Sequence, residues 1–263
     1  MPREFTYGPF QSRRLGLSLG VDILPRQKIC SFNCVYCEIG QTIQYVSPFK
    51  MISFPPSHNF RKELKDILKH FPHLDSITLG YNGEPSLNEN LLDFLKIVKS
   101  VREELLWKNK EPIITLFTNS TTLILNEIRE RVKQFDLVLA KLDAATEEDY
   151  KRTNRPHPES PDIEAIIDSL TKLRLEMKHN KLAIQCLIYN SYRKDFISNN
   201  NDENIIKLAE AIKRINPHKV QIYSVARIPA EYFVFSIDED RKKWIVKKFK
   251  EVIDNDLIEI NYY

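Results

Sequence analysis

The chain of 263 residues carries 39 Lys and Arg against 36 Asp and Glu, a formal net charge of +3, with 42% hydrophobic and 29% charged residues. That is an ordinary globular composition with enough chain to bury a substantial core, and the surplus of positive charge is too small to argue by itself for a nucleic-acid partner. No stretch reaches the roughly 18 apolar residues a membrane helix needs, and MPREFTYGPF lacks a signal peptide's apolar run. The sequence therefore reads as cytoplasmic with no membrane partner, a setting in which structural disulfides are disfavoured.

Taken in chain order, a β-branched run predicts a first strand over residues 17–24. A helical stripe follows at Leu64, Ile67, Leu68 and Phe71, then a strand over 76–81 and a second stripe at Leu91, Leu95, Val98 and Val101. Strands are predicted over 113–119 and 136–144, with a weaker helical candidate at 123–132 between them. A third stripe at Ile163, Ile166, Ile167 and Leu170 precedes a strand over 182–189. Ile205, Leu208 and Ile212 form a fourth stripe, before a strand over 219–226. A last helix spans about 238–253, acidic at its start and lysine-rich later, as the helix dipole favours.

Strand alternating with helix implies an α/β fold with a parallel sheet, either an open sheet or an incomplete (β/α) barrel. We expect one domain over 1–263, with a core at about 15–230 and a C-terminal helix and tail at about 235–263 that close one side. In such folds ligands gather at the C-terminal ends of the strands. The unusual residues fall there: Cys30 follows the first strand, Asn82, Gly83 and Glu84 the second, while Asn119 ends the third and Asp143 the fourth. Alternation puts Lys141 with Asp143 on one face, Gln185 with Leu187 and Tyr189, and Gln221 with Tyr223. Polar residues recurring on one face of a parallel sheet suggest a functional interior, although each also serves as the start of a loop.

Cys30, Cys34 and Cys37 have C-x3-C-x2-C spacing. Soft thiolates suit zinc or an iron–sulfur cluster. A closed zinc site wants four ligands, and no histidine or second cysteine pair lies near. Three thiolates on one loop would hold three irons of a cluster and leave the fourth open. Cys186 is either a distant fourth ligand or core filler, and its strand alternation favours the core. All six glycines lie within the first 83 residues, and Gly83 is the one placed for a close backbone approach.

The cysteine spacing, with aromatic Tyr36 before the last cysteine, resembles the signature of the radical S-adenosylmethionine (SAM) superfamily. The resemblance implies an incomplete (β/α)6 radical SAM barrel and a [4Fe–4S] cluster whose open iron takes the amino and carboxylate groups of SAM. It implies reductive cleavage of SAM to a 5′-deoxyadenosyl radical that abstracts hydrogen from a substrate, with electrons from a donor such as flavodoxin or ferredoxin. Asn82-Gly83-Glu84 resembles the superfamily's Gly-Gly-Glu segment, which implies that the Glu84 carboxylate receives SAM's ammonium. Asp143 resembles the position that binds the ribose hydroxyls, and read alone it also fits a helix N-cap before Thr146. Asn119 either contacts SAM or caps its loop. The superfamily's glycine motif on the fifth strand has no counterpart over 181–189, so no adenine contact carries over.

Residues 7–20, Lys141-Leu142-Asp143-Ala144, Thr153-Asn154-Arg155-Pro156 and 221–231 further resemble small radical SAM proteins placed beside the wyosine tRNA biosynthesis (tRNA-imidazoguanosine synthase) group. That group's second cluster needs cysteines before Cys30, and there are none. The substrate is therefore open, an RNA base or a small molecule. Arg13, Arg14, Lys151, Arg152 and Arg155 form a candidate basic rim for RNA. Lys141, Tyr223 and Arg227 are the substrate-side candidates, with Arg227 either clamping a carboxylate or phosphate or tethering its own loop. The rival classes are an iron–sulfur electron carrier or sensor, and an activating enzyme for a protein partner.

Overall fold

A computed structural model describes residues 3–263. In chain order the strands are β1 (Thr6–Ser12), β2 (Gly16–Val21), β3 (Ile29–Cys30), β4 (Gln44–Tyr45), β5 (Ser76–Leu79), β6 (Ile113–Thr118), β7 (Leu137–Lys141), β8 (Lys181–Leu187), β9 (Tyr189–Ser191), β10 (Lys219–Tyr223), β11 (Val234–Ser236) and β12 (Glu259–Tyr262). The helices are α1 (Phe60–Leu68), α2 (Leu91–Glu103), α3 (Asn126–Val132), α4 (Glu147–Asn154), α5 (Ile163–Glu176), α6 (Asp202–Ile215) and α7 (Glu239–Ile253).

The main sheet has eight strands in the order β1-β2-β5-β6-β7-β8-β10-β12. From β2 onward every pairing is parallel, and β1 alone runs antiparallel, folded back on β2. The six strands expected from sequence are the six central ones, each with a helical segment after it, so the (β/α)6 plan is present and is extended at both edges. Residues 6–12 add an antiparallel strand, and the tail, expected only to close one side, adds β12 parallel to β10. The helical candidate at 123–132 is a 3-10 turn at Thr121–Ile124 followed by α3.

The sheet divides its two faces by chemistry. Ile77, Leu79, Leu182, Ile184 and Cys186 alternate onto the helix-covered side and are fully buried in the apolar core. Cys186 is thus core filler. The other side is buried but polar: Ser18 Oγ lies 2.9 Å from Thr78 Oγ1, and Ser76 Oγ 3.0 Å from Thr115 Oγ1. Gln185 and Gln221 continue this lining, joined by a 2.7 Å bond. The sheet curls: the Arg14 guanidinium, from the β1–β2 turn, sits 4.3 Å from the centre of the Tyr223 ring at the end of β10, with four strands intervening in the sheet.

Side-chain caps set the helix starts. Thr146, Asp162, Asn201 and Asp238 each accept from the backbone N–H three residues on, which satisfies a donor the helix would otherwise leave free. None of the helices among the described residues is long and apolar enough to cross a membrane.

Asp22, just past β2, accepts from Leu24 N and from the Asn82 side chain, and burial pushes its carboxyl up to about 6. A carboxyl raised on folding favours the neutral form, so its contribution is present at low pH and is lost as pH rises through the folded value. Asp22→Asn should therefore stabilise the fold by about 3 kcal/mol near pH 8 and by about half as much near pH 5. Urea unfolding at the two pH values measures it, and an equal effect at both would contradict the assignment.

Candidate functional site

The cysteine loop is placed by backbone. Ile29 N donates to Asn82 O at 2.9 Å and Glu84 N donates to Ile29 O at 2.9 Å, so β3 lies directly on the segment after β5. Gly83 has φ +127°, and a Cβ there would stand 1.7 Å from Ile29 O. The close approach expected here is that of a ligand, whereas the space a Cβ would take at this glycine is filled by the cysteine loop itself. The far side of the loop hangs on the end of α4: Asn33 N donates to Asn154 O, Val35 N to Thr153 O, and His157 N to Ser31 O.

Cys30 and Cys34 are buried and Cys37 half-buried, and all are free thiols. Each sulfur has a nitrogen donor beside it. Cys30 receives Phe32 N and Asn119 Nδ2, both at 3.4 Å, Cys34 receives Asn154 Nδ2 at 3.5 Å, and Cys37 receives Lys28 Nζ at 3.2 Å. Burial, reinforced by the neighbouring thiol, pushes Cys30 up to about 12 and Cys34 up to about 11. Metal ligation needs the thiolates, and N–H donors aimed at sulfur suit the charge a ligating thiolate carries. Among the described residues, no three Cys, His, Asp or Glu side chains converge tightly enough for a single ion.

Glu84 is fully buried. Its carboxylate accepts from Ser86 N, Ser86 Oγ and Thr118 Oγ1 on one oxygen and from Asn119 N on the other. Burial still holds it above the ordinary carboxylate range, against the lowering effect of those bonds. The carboxylate expected to meet an ammonium group thus points into the protein and is filled by protein donors. Asn82 is engaged by Asp22 through its side chain. Asn119 caps its loop through Thr121 N and, with its amide nitrogen, reaches both Cys30 and Ser31 Oγ. Ser120 beside it holds φ 75°, uncommon for a residue with a side chain, and its hydroxyl is tied to Lys141 O at 2.9 Å.

Asp143 is not a helix cap, because Thr146 caps α4. It is buried, and its oxygens accept from Leu187 N at 2.8 Å, Lys141 Nζ at 2.7 Å, Asn154 Nδ2 at 3.0 Å and the Tyr36 hydroxyl. Lys141 also reaches Tyr223 Oη at 2.8 Å. Burial opposes the charge on Lys141, but Asp143 and Tyr223 outweigh it and hold the ammonium above the usual lysine range. Sequence reasoning placed Lys141, Asp143 and Tyr223 in one interior, and the structure joins them in one network with Tyr36. Arg227 instead lies outside, two-thirds exposed and paired with Glu38 at 2.7 Å, just after Cys37.

Three cations of the expected basic rim are held in ion pairs. Lys151 pairs with Glu147, Arg152 with Asp149 and Arg155 with Glu231, while Arg13 and Arg14 lie in the turn before β2. Two residues at the sulfurs, Lys28 and Asn154, escaped the sequence reading. Lys28 precedes the cysteines by only two residues, and a lysine buried to 4% exposure is the signal its burial alone reveals. A small cavity borders Asn119, Lys141, Asp143 and Asn154. A wider groove between Tyr262 and the lysine-rich face of α7 shares no residue with the network.

A curled parallel sheet that brings three cysteines of one loop to its strand ends defines a class of α/β cluster enzymes. Residues 24–182 match the family model described as the radical SAM superfamily, and the chain belongs to that superfamily. It is similar to the UPF0026 protein MJ1312 of Methanocaldococcus jannaschii, 30% identical over 255 residues that cover 97% of this chain and 74% of that protein. A UPF0026 protein of Helicobacter pylori is 26% identical over 235 residues, 89% of this chain and 70% of its own. Among solved structures the fold resembles TYW1 with a bound lysine-pyruvate adduct (TM-score 0.58, 17% identity, 89% of this chain and 73% of that one). It also resembles Streptococcus suis SuiB bound to S-adenosylmethionine (TM-score 0.60, 12% identity, 93% of this chain and 50% of that one).

Gly83→Ala should push the cysteine loop off its seat, because both the positive φ and the contact with Ile29 O exclude a methyl group. A loss of about 3 kcal/mol in thermal or urea unfolding is expected, together with a reduced iron content after anaerobic reconstitution. A variant with unchanged stability and iron would show that this backbone contact does not set the loop.

Proposed function

We propose that this radical SAM enzyme holds a [4Fe–4S] cluster through Cys30, Cys34 and Cys37, with the fourth iron left for the amino and carboxylate groups of SAM. The observation that carries the reading is the set of nitrogen donors at all three sulfurs, on a loop whose two flanks are fixed by β5 and α4. Such a cluster, once bound and reduced, supplies the electron that cleaves SAM to methionine and a 5′-deoxyadenosyl radical, which takes hydrogen from a substrate.

The chain's own residues have separable tasks under this reading. Lys28, Asn119 and Asn154 donate to sulfur and stabilise its negative charge. Glu84 acts as a positioning residue: it fixes Asn119 and the turn at Ser86, while the half-buried backbone around Asn82 and Gly83 is the part left to meet SAM. Asp143 sets the Tyr36 and Lys141 side chains, and the ribose hydroxyls suggested by resemblance would have to enter that network. Lys141 and Tyr223 stand on the substrate side of the interior. Arg227 tethers the end of the cysteine loop through Glu38 rather than clamping a ligand. Electrons come from a reducing protein of the flavodoxin or ferredoxin type.

The test is anaerobic. Protein reconstituted with iron and sulfide, reduced with dithionite and given SAM should release 5′-deoxyadenosine, read by mass spectrometry, and should carry about four irons. Replacing any one of Cys30, Cys34 and Cys37 by Ala should abolish both the cluster absorbance and the product. A single-cysteine variant that keeps full cluster absorbance would overturn the ligand set. A wild-type protein with an intact cluster and no affinity for SAM would favour an electron carrier.

A further inference from the structure

We infer that Arg14, Lys141 and Gln221 form a receptor for an anionic group of the substrate, a carboxylate or a phosphate, on the inner face of the sheet. The inference rests on the reading that this interior takes the substrate, and it names what that substrate must carry.

Two cations meet at the Tyr223 ring, and an unpartnered amide lies on the same face of the strand. The Arg14 guanidinium lies 4.3 Å from its centre and the Lys141 ammonium 4.7 Å. Arg14 is half-buried, yet among the described residues its side chain has no carboxylate partner and no hydrogen-bond acceptor. Its counterparts near the cysteine loop differ: Arg152, Arg155 and Arg227 each hold a carboxylate. Gln221 shares the inner face of β10 with Tyr223 and is 1% exposed. Its oxygen accepts from Gln185 Nε2 at 2.7 Å, but its own Nε2 is buried with no partner.

A buried amide without an acceptor is costly, and folded chains rarely leave one unless something else completes it. The cation–π contact with Tyr223 uses none of the five N–H donors of the Arg14 guanidinium. Two cations face a single carboxylate here, Asp143, and that carboxylate is already filled. What the cluster lacks is an acceptor of negative charge. The rigid fork of an arginine fits the paired oxygens of a carboxylate or phosphate, and the ring beneath it holds the fork in place. Lys141 lies 5.0 Å from the centre of the Tyr36 ring, next to Cys37, which puts the receptor beside the cysteine loop.

The experiment uses reconstituted holoprotein saturated with SAM under anaerobic conditions. Acetate binding is followed by saturation-transfer NMR and inorganic phosphate by 31P line broadening, each at constant ionic strength. Wild-type protein should bind at least one of the two saturably, and the preferred anion identifies the group the substrate carries. Arg14→Gln and Gln221→Leu should each weaken binding at least about tenfold, and Lys96→Gln, at an exposed cation on α2, should leave it unchanged. Arg14→Lys, which keeps the charge without the fork, covers the case in which Gln221→Leu fails to fold, and it should bind more weakly than wild type. No saturable binding, or equal binding by wild type and Arg14→Gln, overturns the receptor. Binding by a parallel SAM-free sample that is absent from the SAM-saturated one also overturns it, because the donors then belong to SAM. Release of 5′-deoxyadenosine in the same preparation shows separately that the enzyme class stands even where the receptor falls.

Discussion

The site depends on a contact that has no side chain in it. At Gly83 the cysteine loop lies against the end of β5 closely enough that Ile29 O occupies the space of a methyl group. Two hydrogen bonds, Ile29 N to Asn82 O and Glu84 N to Ile29 O, then make β3 an outlying piece of the strand end. A loop of three cysteines with only its own turns to hold it would lose its shape at the cost of loop entropy alone. Seated on a strand, it inherits the rigidity of the sheet.

Two buried carboxylates extend this frame in opposite directions. Glu84 reaches from the end of β5 to Thr118 and Asn119 at the end of β6, and Asn119 in turn reaches Cys30. Asp143 reaches from the end of β7 to Leu187 at the end of β8, to Asn154 on α4 and to Tyr36 in the loop. Burying a carboxylate is expensive unless donors surround it. Here the donors come from several elements, so each carboxylate fixes the spacing of the elements that solvate it. Lys141 balances the charge of Asp143, whereas Glu84 relies on hydrogen bonds alone and is held above the ordinary carboxylate range by burial.

The central strands were legible because a parallel strand covered by helices must be a continuous apolar run, and six such runs alternate with helical stripes. β1 was hidden by Gly8 and Pro9 in its middle, and β12 by its brevity and its edge position, where no apolar run is required. The site's membership was legible from the rule that ligands gather at strand ends, which brought Cys30, Glu84, Asn119 and Asp143 into view. What each does was less so. The direction of the Glu84 carboxylate follows from donors contributed by Thr118 and Asn119, thirty-odd residues away in sequence. Lys28 belongs to no motif, Asn154 lies in a segment that carried a resemblance but no role, and only tertiary packing shows that they meet sulfur.

The distribution of charge carries the last step. A net charge of +3 could in principle collect on the rim and greet a polyanion. Instead Lys151, Arg152 and Arg155 are each matched with a carboxylate, which suits them to tethering. The inner face is built the other way. Its hydroxyls and amides are buried, its carboxylate is filled, and its two cations share one tyrosine ring. Attraction spread over a rim draws any polyanion, while donors fixed inside a curled sheet select one group of the right size and shape. The arrangement places discrimination in the interior, next to the loop where the chemistry is set.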